Sequence, residues 1–146
     1  MGKRFIVTRP RHDIPTSYLH DFCKELLKTV KDTKDIHVTD LEGPKAIRVL
    51  LEKSISKENP GLIFLNGHGN HKKVAGHDDE IILDQKNIEL TKDKIVYALS
   101  CDSLEDLGQI AVGKGTRAYI GYKARFMIMH DPSREGVPHK DKNALP

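Results

Sequence analysis

Three uninterrupted apolar runs constrain this chain most: Leu62-Ile63-Phe64-Leu65, Ile95-Val96-Tyr97-Ala98-Leu99 and Ala118-Tyr119-Ile120-Gly121-Tyr122. A run with no polar alternation suits a strand covered on both faces, as strands of parallel sheets are. Phe5-Ile6-Val7-Thr8, ending at Pro10, reads as a buried first strand, and Ile36-His37-Val38-Thr39-Asp40-Leu41 alternates as a strand should. Helical patterns fall between them. Pro15-Thr16-Ser17 opens a helix whose apolar stripe is Tyr18, Leu19, Phe22, Cys23, Leu26, Leu27 and Val30. Gly43-Pro44 opens a second, with Ile47, Leu50, Leu51 and Ile55 facing inward and Lys57 to Pro60 closing it. Leu104, Leu107, Ile110 and Ala111 make a short third helix that stops at Gly113. This alternation predicts an α/β fold: a three-layer α/β/α sandwich around a mostly parallel sheet with right-handed crossovers. Two stretches fit less well. The connection from Asn66 to Lys94 holds no long amphipathic helix, and Glu80 to Asp84 reads as part of a small surface hairpin.

At 146 residues the chain has the length of one domain, and that domain is expected to span residues 1–146. Twenty-four basic residues against 21 acidic ones leave a net charge of +3, too mild and too interspersed to argue for nucleic acid. No segment approaches a membrane span, and MGKRFIVTRP has neither an apolar h-region nor a cleavage site. Ile6 stands where myristoylation wants Ser or Thr. Cys23 and Cys101 form no paired motif, which fits a cytoplasmic protein with reduced thiols. Cys23 lies within the helical stripe and is expected to be buried as a small hydrophobe.

The chemistry-bearing residues fall at strand ends. Asn66-Gly67-His68-Gly69-Asn70 follows one apolar run and Ser100-Cys101-Asp102-Ser103 follows the next. Ligands bind where the loops at the carboxyl ends of parallel strands open a crevice. If the two strands are neighbours, His68 and Cys101 project from one edge, about 5 Å apart in strand spacing. An imidazole at that distance can take the thiol proton during attack and return it to a leaving amine. Gly69 would let a carbonyl approach the backbone, and the N–H groups of Gly69 and Cys101 are candidates for an oxyanion hole.

A hydrophobic strand ending in His-Gly, followed by a second ending in a short residue plus Cys, resembles the caspase-like (clan CD) cysteine peptidases. Ala98-Leu99-Ser100-Cys101-Asp102-Ser103, with Gly113, Gly115 and Ala118 to Tyr122 behind it, is most similar to the gingipain and CHAT end of that group. The resemblance covers roughly residues 62 to 122. It implies a caspase-like fold with a flavodoxin-like strand order at its start, His68 as general acid/base, Cys101 as nucleophile and Gly69 as an oxyanion donor. It also implies a peptide or protein substrate. The chain lacks the Gln-Ala-Cys-x-Gly signature of true caspases, and the interval from His68 to Cys101 is shorter than their roughly 50 residues. Leu99 stands where clostripain-like relatives carry an Asp. Relatives draw part of their first specificity pocket from the end of the first strand, where this chain offers Arg9, Arg11 and Asp13. Asp13 would select a basic residue before the cut, and an arginine there an acidic one.

The closing elements of the family are barely accommodated after Phe126-Met127-Ile128-Met129. The chain is therefore expected to be a shortened version of the fold that pairs with a second copy through its C-terminal sheet edge. His68, His71, His77 and Asp78 invite a metal reading, but their spacing matches no common zinc signature, so neither a metal nor another cofactor is expected. Asn66 reads as a turn or cap residue, and Asp102 and Glu105 as acids of a helical first turn. The rival to a peptidase is a binding or adaptor domain that keeps the fold without turnover. A small-ligand module of flavodoxin type lacks a Gly-rich phosphate loop.

Overall fold

The computed structural model describes residues 2–134 and 138–141. Strand β1 (Lys3–Arg9) runs into helix α1 (Ile14–Lys31), which returns the chain to β2 (Ile36–Glu42). Helix α2 (Arg48–Glu58) leads to β3 (Leu62–Asn66), followed by three short strands, β4 (Gly69–Asn70), β5 (Lys73–Ala75) and β6 (Ile81–Asp84). Strand β7 (Ile95–Leu99), helix α3 (Leu107–Gly113) and β8 (Ala118–Ile120) complete the regular structure. Five strands form one parallel sheet in the order β2-β1-β3-β7-β8, while β4, β5 and β6 form a separate antiparallel sheet. The expected α/β class and three-layer arrangement hold.

Strand alternation explains the layers, because successive side chains point to opposite faces. Phe5, Val7 and Phe64 meet Cys23 and Leu27 of α1 on one face. Ile6, Ile63, Leu65, Val96 and Ala98 turn the other way, toward Leu51 and Ile55 of α2, Leu107 and Ala111 of α3, and Val74, Ile82 and Leu83 of the small sheet. Both faces of β1 and β3 are therefore covered, which fits their apolar runs, whereas on the α1 side of β7 Ile95, Tyr97 and Leu99 are only half-buried. Leu26 departs from the predicted stripe of α1: it is 47% exposed, over a part of the sheet that α1 alone does not reach across.

Two expectations are corrected. Gly43–Lys45 forms its own 3₁₀ turn, and α2 begins only at Arg48. The break occurs at Ala46, whose carbonyl turns away from the helix to accept the His77 N–H at 2.8 Å. Glu80 Oε1 instead accepts the Arg48 N–H at the new helix start. The 81–84 segment is a strand of a hairpin sheet, but not a surface feature: Ile82 and Leu83 are fully buried in the larger core. Arg48 clamps it with paired bonds to Asp84, both at 3.1 Å. The apolar run Phe126–Met129 adds no strand to the main sheet, and Met127 and Met129 face solvent. The sheet edge nearest the C-terminus is β8, three residues long. No helix among the described residues is long and apolar enough to cross a membrane.

Candidate functional site

The sheet order is that of a doubly wound fold whose direction of travel reverses between β1 and β3, and the crevice opens at the carboxyl ends of those strands. The loops after β1, β3 and β7 meet there. After β1, Pro10 ends the ladder and Asp13 caps α1. Its Oδ1 accepts from the Thr16 N–H at 2.9 Å and from the Thr16 hydroxyl at 2.6 Å, while the Asp13 N–H donates to Thr16 Oγ1 at 3.1 Å. This reciprocal box fixes the carboxylate plane. The second oxygen, Oδ2, is left to face His68.

His68 follows β3 by way of Gly67, whose φ of +149° falls outside the range of other residues. A Cβ there would also collide with the carbonyl of Ala75, so no other side chain fits. His68 Nε2 lies 2.6 Å from Asp13 Oδ2. An ionised carboxylate can only accept, so Nε2 carries the proton and Nδ1 is the ring nitrogen left for other work. Partial burial opposes the Asp13 charge, but the bonds from Thr16 and His68 outweigh it and hold the carboxyl down to about 2. The pair is a short, charge-assisted bond that orients the imidazole.

Cys101 leaves β7 in the same direction. The pairing of β3 with β7 sets Asn66 opposite Leu99, so His68 and Cys101 each stand two residues beyond matched positions. The two loops touch: a Cβ on Gly69 would strike Ser100 Oγ and lie 3.2 Å from the Cys101 carbonyl. The space at Gly69 is thus filled by the neighbouring loop rather than held open for a substrate, as the sequence suggested. Gly69 itself pairs with Val74 in the small sheet. The turn at Cys101 is braced from outside, where the N–H groups of Asp102 and Leu104 donate to the carbonyls of Ala124 and Tyr122. Asp102 takes a left-handed φ of 56° and lies 3.7 Å from Arg125, and Glu105 pairs with His71 at 2.8 Å; both precede α3, which begins at Leu107, so neither is the first-turn helix acid the sequence suggested. Cys101 is partly exposed, and its Sγ sits 4.0 Å from the Phe126 carbonyl. No hydrogen bond joins Cys101 to His68 among the described residues.

The other cysteine is in a different setting. Cys23 is buried under α1, where desolvation pushes its thiol up to about 11 despite the opposing influence of Arg9 and Asn66. Asn66 is not a cap: its Nδ2 donates to the Thr8 carbonyl at 2.9 Å and ties β3 to β1 below the site.

The residues expected to read the substrate are placed unequally. Arg9 is buried and held by both oxygens of Asp40, at 2.9 and 2.8 Å, with Glu42 at 3.6 Å. Arg11 is exposed and only loosely paired with Glu42 at 3.9 Å. Asp13 spends both oxygens on Thr16 and His68, leaving it little capacity for a basic side chain. An apolar groove of about 370 Å³ lies between α1 and the sheet, lined in part by Leu19, Phe22, Cys23, Leu99, Tyr122 and Phe126; Cys23 lines it and Cys101 does not.

Sequence spacing missed two members of the site, His12 and Asp79. His12 Nε2 lies 3.2 Å from Asp79 Oδ1 and 3.8 Å from Asp13 Oδ2, and its ring stands edge-on to His68 and His77. His12-Asp13 does follow a strand, so the rule that singled out His68 and Cys101 could have found His12. Asp79 carries no such signal. Of the group first considered for a metal, His71 is drawn away by Glu105, His77 Nδ1 accepts the Arg11 N–H at 3.4 Å, and Asp78 is exposed. The residues that do converge are His12, Asp13, His68 and Asp79, with donor atoms all within 4.8 Å of one another. Compared with known proteins, the chain matches no family model and no curated protein sequence.

Proposed function

We propose that this chain is a caspase-like cysteine peptidase domain that hydrolyses a peptide bond through His68, Cys101 and an acyl-enzyme. The observation that carries the reading is the β3–β7 register, which brings one histidine and one partly exposed cysteine to matched strand ends. Asp13 supports it by orienting the imidazole, a role sequence reasoning did not assign. In the reaction His68 Nδ1 takes the Cys101 proton as sulfur attacks the carbonyl, then gives it to the departing amine. Water next attacks the thioester, releasing the carboxylic acid and restoring the thiol. The Cys101 N–H is a fitting oxyanion donor, because no described residue accepts from it. Hydrogen bonds of this kind are commonly long before substrate binds, so closure of the His68–Cys101 gap belongs to the substrate complex.

A second reading, a non-catalytic binding domain of the same fold, draws on the contact of Cys101 Sγ with the Phe126 carbonyl rather than with His68. A panel of fluorogenic peptides separates the two. The peptidase reading expects turnover that Cys101→Ala abolishes and His68→Ala lowers by about 10³-fold or more; turnover unchanged in both variants contradicts it. The same proposal places the domain in the cytoplasm and pairs two copies along β8, where Ile120 is exposed. Light scattering at several concentrations tests the pairing.

A further inference from the structure

We propose that His12, Asp13, His68 and Asp79 form a binding site for one divalent transition-metal ion, zinc foremost. The set has the right chemistry: two imidazoles suit borderline ions, and two carboxylates neutralise a dication. The distances also fit. Tetrahedral coordination at the usual zinc bond lengths separates neighbouring ligand atoms by about 3.4 Å. Here His12 Nε2 lies 3.2 Å from Asp79 Oδ1 and 3.8 Å from Asp13 Oδ2, and His68 Nε2 lies 2.6 Å from Asp13 Oδ2. A small opening of the His68–Asp13 pair admits the ion.

The elements around the four ligands hold them in advance. Thr16 occupies Asp13 Oδ1 and leaves Oδ2 for the ion. The loop carrying Asp79 is anchored on Ala46 through the His77 N–H, and at the Arg11 N–H through His77 Nδ1. The His12 side chain is nine-tenths buried and turns Nε2 into the cluster, while its Nδ1 is buried without a partner among the described residues. Coordination through Nε2 moves the ring proton to that Nδ1. The outer support of His12 is therefore incomplete, which weakens the site by ~10-fold or more relative to a fully supported one. A metal that exchanges with the medium is the expected behaviour, not a permanently held one.

Coordination needs neither Cys101 nor turnover, so the site stands independently of the peptidase reading. Where both hold, they compete for His68, and loading the ion suspends hydrolysis.

Cobalt(II) added to the full, tag-free chain tests the site directly. The expected result is one ion per chain, with visible bands of tetrahedral intensity that zinc removes by displacement. Asp79→Asn and His12→Ala should each weaken binding by ~10-fold or more, whereas His71→Ala, outside the cluster, should not. Asp79 is exposed, so its variant keeps the test valid even where loss of His12 unfolds the protein. Absence of stoichiometric binding overturns the proposal, as does binding that survives Asp79→Asn unchanged. A cobalt–thiolate charge-transfer band that disappears in Cys101→Ala also overturns it, because it moves the ion to the sulfur.

Discussion

Replacing Asp13 by alanine and by asparagine separates its two roles, because asparagine keeps the helix cap and loses the charge. Loss of the cap costs about 1 kcal/mol, and asparagine caps as well as aspartate does. The charge contributes separately. A carboxyl held at about 2 instead of 3.8 corresponds to roughly 2.4 kcal/mol without screening. The side chain is 36% exposed, so solvent reduces this to about 1 kcal/mol. Asp13→Ala should therefore lose about 2 kcal/mol near neutral pH, and Asp13→Asn about 1. In melting temperature the alanine variant should fall by roughly 6 °C. The pH dependence has a definite sign. The folded carboxyl is depressed, so its charge contribution is complete above about pH 4 and disappears as pH falls toward 2. Urea unfolding at pH 7, 4 and 2.5 follows both contributions. The deficit of Asp13→Asn should shrink by more than half by the lowest pH, and that of Asp13→Ala by roughly a third. Equal, pH-independent losses in the two variants would refute a charge contribution of Asp13, held by Thr16 and His68 together, beyond its helix cap.

Gly67→Ala should cost about 3 kcal/mol or more, since it forces an L side chain to a φ of +149° against the Ala75 carbonyl; a chemical-denaturation loss below 1 kcal/mol would contradict this. Cys23, with its thiol near 11, should resist alkylation in the folded protein at pH 8 and react only after unfolding. Because the unfolded thiol ionises near its usual pKa of about 9 and the folded one higher, stability should decline as pH rises from 9 to 11. Cys23→Ala should lessen that decline, leaving the part above about pH 10 that the buried Tyr119 hydroxyl contributes; a decline unchanged in the variant contradicts the assignment to Cys23.

The strands of the main sheet were legible because burial on both faces excludes polar residues from Leu62–Leu65, and Ile95–Leu99 stays apolar although one of its faces is only half-buried. Helix α1 was legible because its stripe and its Pro15-Thr16-Ser17 opening agree, whereas its cap, Asp13, was read only as a pocket residue. Its stripe misleads only at Leu26, where periodicity cannot tell how far one helix covers a sheet. The start of α2 was not legible, because Gly43-Pro44 has the chemistry of a helix opening and the interruption comes from Ala46 bonding to His77, 31 positions away. Local pattern carries no trace of such a bond. The small sheet was read as a surface feature for a related reason: strands of two to four residues show too little periodicity to declare that Ile82 and Leu83 face a core. At the site, His68 and Cys101 were visible because each ends a strand. Asp79 was not, since it reaches His12 from a turn of its own, and clusters built across three loops leave no spacing signature.

The most direct measurement of the central claim is the rate at which limiting iodoacetamide modifies Cys101 at neutral pH, in the natural protein and in His68→Ala. Peptide mapping identifies the labelled cysteine in each. A functional His68–Cys101 pair predicts modification at Cys101 in preference to Cys23, and a rate lowered by ~10-fold or more when His68 is removed, as expected of a thiol deprived of its base. Labelling of Cys23 first, or a Cys101 rate indifferent to His68, would contradict it.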